Sequence, residues 1–172
     1  MHTITRELLA YLDEQRSVLK AAFESVPPEL RDRPPAAERW SAANVVEHLA
    51  IVETRISTLL SERIEEARSG LSAETRADPI LPTIDYQRMY DRSTRVKAPD
   101  PVIPTGLSAT AAWHALEDAG SKMRAVLVAN DGLALSSVTY PHPRFGLLSV
   151  YQWVAFLGAH EVRHAQQIRE GN

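Results

Sequence analysis

Apolar residues recur at helical spacing in four separate stretches of the chain. Leu8, Leu12, Leu19, Phe23 and Val26 form the first stripe and predict a helix from about Ile4 to Val26. Pro27 and Pro28 end it, because proline lacks the N–H that would continue the ladder. A loop carrying Pro34 and Pro35 follows. Ser41 is then placed to cap a second helix, its hydroxyl accepting from an orphan backbone N–H. That helix runs to about Arg68. Val45, His48, Leu49, Val52, Ile56, Leu59 and Leu60 face inward, and Glu47, Arg55, Glu62, Arg63, Glu65 and Glu66 mark the outer face. From Ser69 to Gly106 the pattern breaks. Pro79, Pro82, Pro99, Pro101 and Pro104 leave room only for a short helix, from Ile84 to Ser93. A connection this long inside a compact domain tends to be a lid or a crossover.

Ser108 caps the third helix, whose stripe is Trp113, Leu116, Gly120, Met123 and Leu127. Gly120 on that face predicts a close approach by a neighbour, and Asn130-Asp131-Gly132 supplies a terminus tolerant of positive φ. Leu133 to Gly146, broken by Pro141 and Pro143, reads as an ordered loop with at most a short strand. Ser149 and Gln152 then form a capping box for a fourth helix to about Arg169, with Trp153, Leu157, His160, His164 and Ile168 in line. No internal repeat is visible. Four helices without a run of strands predict an all-α four-helix bundle with one long proline-rich crossover, occupying residues 1–172 as one domain.

Composition narrows the function. The chain has 172 residues, 44% hydrophobic and 24% charged, enough for a full-sized core. A net charge of -3 offers no electrostatic footprint for nucleic acid, and no basic run marks a membrane surface. No segment reads as a signal peptide or a membrane span, so a cytoplasmic address is the expectation. Cysteine is absent, which leaves histidine and carboxylate as transition-metal ligands.

Three histidines fall on interior stripes: His48, then His160 and His164 one helical turn apart on the same face. Two imidazoles at that spacing can grip one metal ion, and a third from another helix leaves an open coordination position, the mark of a catalytic site. Each histidine taken singly also reads as a core residue bonded to a carbonyl, so spacing alone leaves both readings open. Burying two imidazoles a turn apart favours the metal, which gives both a partner. His2, His114 and His142 carry less weight.

His160-Glu161-Val162-Arg163-His164 is also a literal H-E-x-x-H, in which zinc proteases use the glutamate as general base. The eight residues given after His164 hold neither the metzincin histidine nor a ligand-bearing helix, so a zinc protease is not the expectation. Glu161 then has two readings, a catalytic carboxylate beside a metal-activated water or a solvated surface group.

Trp40-Ser41-Ala42-Ala43-Asn44-Val45-Val46-Glu47-His48-Leu49 resembles the tryptophan–serine helix start and first histidine of the DinB-like (DinB/YfiT-like) superfamily. The segment His160-Glu161-Val162-Arg163-His164-Ala165-Gln166-Gln167-Ile168 is similar to that family's closing motif. The resemblance implies a four-helix bundle in which His48, His160 and His164 are the metal ligands. It further implies nickel, zinc or a similar divalent ion, and chemistry that is either hydrolytic or dependent on a low-molecular-weight thiol. A small-molecule substrate and a homodimer belong to the same expectation. Tyr86, Tyr90, His142, Glu161 and Gln167 are the polar candidates for the mouth of such a site. The alternative is a non-catalytic bundle that binds metal or an apolar ligand and dimerises.

Overall fold

The computed structural model describes residues 1–85 and 98–171. Helix α1 spans Thr3–Glu24, α2 Ala42–Ala67, α3 Ala109–Ala129 and α4 Val150–Gly171. They form a four-helix bundle in which α1 packs on α4 and α2 on α3, with α2 also touching α4. The local signals account for the boundaries. Ser41 Oγ accepts from the Asn44 N–H while Asn44 Oδ1 accepts from the Ser41 N–H, a closed capping box. Ser108 Oγ accepts from Ala111 N–H, and the Asp32 carboxylate accepts from Ala109 N–H across the bundle end. Ser149 and Gln152 close the predicted box at the start of α4.

Two expectations change. The stretch read as a loop before α4 is an antiparallel hairpin of β1 (Thr139–His142) and β2 (Gly146–Ser149), turned at Gly146 with φ 78°. Glu47, assigned to the outer face of α2, is only 2% exposed. Of the short helix expected over Ile84 to Ser93, residues 86–93 lie outside the described ones. Ile84 and Asp85 are not helical.

The interior is two apolar cores separated by a charged layer. One core gathers Ile4, Leu8, Ile56, Leu60, Met123 and Val154, and the other Leu19, Phe23, Val46, Leu49, Leu116 and Ile168. Between them Arg16 of α1 meets Glu53 of α2 and Glu161 of α4. Its Nη2 donates to Glu53 Oε2 and Glu161 Oε1 at 2.7 Å each, its Nε to both Glu161 oxygens at 3.0 Å, and its Nη1 to the Leu116 carbonyl. Gly120 of α3 makes room for this layer, since a Cβ there would stand 3.2 Å from Arg16 Nη1. The close approach predicted at Gly120 is thus to a guanidinium rather than to a helix backbone.

Gly158 sets the contact between α1 and α4. A Cβ at that position would collide with the buried Tyr11 ring, whose hydroxyl donates to the Ala155 carbonyl at 3.1 Å. An aromatic ring pinned at its far end has little freedom to move aside. Gly158→Ala is expected to cost about 1–3 kcal/mol through overpacking, read as a lower urea midpoint at unchanged m.

Candidate metal centre

His48 projects from the second turn of α2, while His160 and His164 occupy successive turns of α4 where it crosses α2. One ring nitrogen of each lies within 4.8 Å of the others. The Nε2 atoms of His160 and His164 are 3.0 Å apart. Two metal–imidazole bonds of about 2.0–2.1 Å span such a separation. The rings stand nearly edge to face, with interplanar angles of 65–77°.

Each outer nitrogen has its own environment. His48 Nδ1 donates to the Val102 carbonyl at 2.8 Å, which fixes the tautomer and leaves Nε2 as a bare lone pair. His164 Nδ1 donates to Gln167 Oε1 at 2.8 Å, which makes its Nε2 the acceptor that faces His160 Nε2. His160 Nδ1 is buried and without a partner among the described residues. Burial holds His160 well below the ordinary imidazole pKa, and the neighbouring His164 and His48 add to the effect. Burial lowers His48 as well, against the opposing pull of its bond to Val102. Both are therefore neutral near pH 7. Lone pairs converging in an apolar surround fit a cation of the kind that takes nitrogen ligands.

The return of the crossover is bolted to α2 beside His48. Glu47 accepts from Thr105 N–H and Oγ1–H on one oxygen and from Gly106 and Leu107 N–H on the other, at 2.6–3.0 Å. Burial works to raise its pKa, but the bonds from Thr105, Leu107 and Gly106 together hold the carboxyl below its ordinary value. Residue 47 thus fastens the segment whose Val102 carbonyl orients His48. Glu47→Ala strands four donors at once and is expected to cost about 2–4 kcal/mol, measurable by denaturant unfolding. A loss below about 1 kcal/mol would show that the fastening is dispensable.

Glu161 fits neither of its two expected roles. It is 3% exposed, so it is no surface group, and both oxygens are engaged by Arg16 rather than offered to the histidines. One residue along a helix turns the side chain by about 100°, which carries Glu161 from the histidine face to the charged layer. Gln167 holds His164, a role its distance of three residues along the helix could have signalled. Tyr86 and Tyr90 lie outside the described residues.

His142, on β1, is half-buried and packs against Phe145, Trp153 and Phe156, while Phe156 stacks on His160 at 5.2 Å. Its Nδ1 accepts from the N–H groups of Arg144 and Phe145, which leaves the proton on Nε2. Burial, then the charge of Arg144, pushes its pKa down to about 4. His142 is a neutral hydrogen-bond donor at physiological pH.

A family model described as the DinB superfamily matches residues 11–168. The chain belongs to the DinB superfamily. Among curated proteins, the uncharacterized protein YuaE of Bacillus subtilis (strain 168) is 28% identical over 144 residues, 83% of each chain. Among solved structures, TT2238, a four-helix bundle protein, superimposes with a TM-score of 0.63 at 19% identity, covering 96% of this chain and 98% of the other. The second likeness concerns the fold alone. In this DinB superfamily chain His48, His160 and His164 meet between α2 and α4, and no helix among the described residues is long and apolar enough to cross a membrane.

Proposed function

We propose that this DinB superfamily protein is a metal-dependent enzyme in which His48, His160 and His164 hold one divalent ion, nickel or zinc. The observation that carries the reading is the convergence of three imidazoles from two helices, one ring nitrogen of each within 4.8 Å of the others, with the outer nitrogens of His48 and His164 held by Val102 and Gln167. Three protein ligands leave coordination open to a small molecule. A divalent ion there supplies Lewis acidity, enough to ionise a water or a low-molecular-weight thiol near neutral pH. The reaction classes that follow are hydrolysis and thiol transfer to an electrophilic small molecule.

The chain's own groups do the positioning. Val102 and Gln167 fix the tautomers of His48 and His164, so that neither imidazole must reorganise to present Nε2. Trp40 against His48, at 5.0 Å, and Phe156 against His160 wall the cluster with apolar surface and exclude bulk water. His142, on the far side of Phe156, offers a neutral N–H to the oxygen of a bound substrate. A homodimer in the cytoplasm completes the proposal.

The test is turnover by apo, zinc-, nickel- and manganese-loaded protein against model esters, amides and thiol–electrophile pairs. Metal-dependent turnover that His164→Ala abolishes is the expected result. Stoichiometric metal without turnover on any substrate would instead identify a binding module.

A further inference from the structure

Behind the histidines, a hollow of about 450 Å³ opens between the end of α1, the loop that follows it, the start of α2 and the end of α4. Its volume lies in the range of small-molecule sites. The floor is apolar, with Val26, Val45 and Ile168 all at most 5% exposed. The polar groups at its rim are mostly donors. Arg33 and Arg39 both line it, and neither guanidinium bonds to a described residue. Trp40 and Gln167 line it too, and the Trp40 indole N–H has no partner among the described residues. No aspartate or glutamate is among the lining residues, in a chain whose net charge is -3.

Two unneutralised guanidinia over an apolar floor favour a ligand with an anionic head and a hydrocarbon body. We propose that this hollow is a second small-molecule site, separate from the histidine cluster, for an amphipathic anion bearing a carboxylate or a phosphate monoester. Arg33 and Arg39 take the head, and Val26, Val45 and Ile168 take the body. The site backs directly on to the metal centre. Its wall residue Gln167 is the hydrogen-bond partner of His164, and its wall residue Trp40 lies against the His48 ring. An occupant is therefore in contact with residues that touch two of the three imidazoles.

Calorimetric titration of the metal-free full chain tests the site without reference to the metal reading. The probes are octanoate and octyl phosphate, with 1-octanol as the uncharged control and inorganic phosphate as the bare anion. One equivalent of an octyl anion is expected to bind, at least about tenfold more tightly than either control. Whichever head binds better identifies the source chemistry. Arg33→Ala/Arg39→Ala, at two exposed loop positions that leave the core untouched, is expected to weaken binding about tenfold or more. The Trp40 indole N–H resonance is expected to shift on saturation while that of Trp113 stays in place. Equal binding of octanol and octanoate, undiminished binding by the double variant, or no binding of either octyl anion would overturn the proposal.

Discussion

Protein purified without added metal and without a histidine tag is expected to carry about one divalent ion per chain, and His160→Ala is expected to carry almost none. His160 is one of three converging ligands, its Nε2 3.0 Å from that of His164, so its loss leaves at most a two-ligand remnant. The same change removes the unpartnered Nδ1 together with the Nε2 contact to His164 and the ring stacked on Phe156, so circular dichroism of the variant is read beside its metal content. That separates metal loss from unfolding. An ion bound only by the native state at a hundredfold excess over its dissociation constant stabilises by about 2.7 kcal/mol. Chelation is therefore expected to lower the Tm of the wild type and to leave that of His160→Ala unmoved. One equivalent of metal retained by both His160→Ala and His48→Ala would refute the proposed site.

Arg16→Ala is expected to be the most destabilising single change in the bundle, by about 3–5 kcal/mol, because it abandons two buried carboxylates. The layer it serves is also titratable. Burial is the main influence raising Glu53, to about 7, with Arg16 opposing it and Glu161 adding to it. Burial raises Glu161 as well, against the Arg16 guanidinium that donates to both of its oxygens, and we assign the proton to Glu53. An unfolded glutamate titrates near 4.5. Between that value and about 7 the native chain holds a proton that the unfolded chain has released. The contribution is thus fully present below the lower value and is lost as pH rises through the upper one. Glu53→Gln removes this dependence. The difference in stability between wild type and Glu53→Gln is expected to change by about 3 kcal/mol between pH 4.5 and 8, to the disadvantage of the wild type at high pH. Parallel pH curves would contradict the assignment of the proton to Glu53.

Helix boundaries were legible because their causes are local. Ser41, Ser108 and the Ser149–Gln152 pair act on N–H groups three residues away, within reach of a sequence pattern. The histidine pair was legible for the same reason, through helical pitch. The charged layer was not, because its partners are 37 and 145 residues apart. A trace of it was nonetheless present. Arg16 continues the Leu8–Leu12 stripe towards Leu19, Glu53 lies between Leu49 and Ile56, and Glu161 between Leu157 and Ala165. A charge occupying a core position at the middle of three helices predicts a buried ion cluster. Glu47 left no such trace. Its partners, the backbone N–H groups of Thr105, Gly106 and Leu107, exist for every sequence, and only the path of the chain brings them to it.

The crossover is moored at both ends. On the way out, Glu7 of α1 accepts from the N–H groups of Ile80 and Leu81. On the way back, Val102 and Thr105–Leu107 are held by His48 and Glu47. Apart from the Thr105 hydroxyl, each mooring is made by main-chain atoms of the segment, so the moorings depend little on which side chains it carries. Substitution of the side chains of Ile80, Leu81 or Val102 therefore leaves the main-chain groups that make these bonds in place.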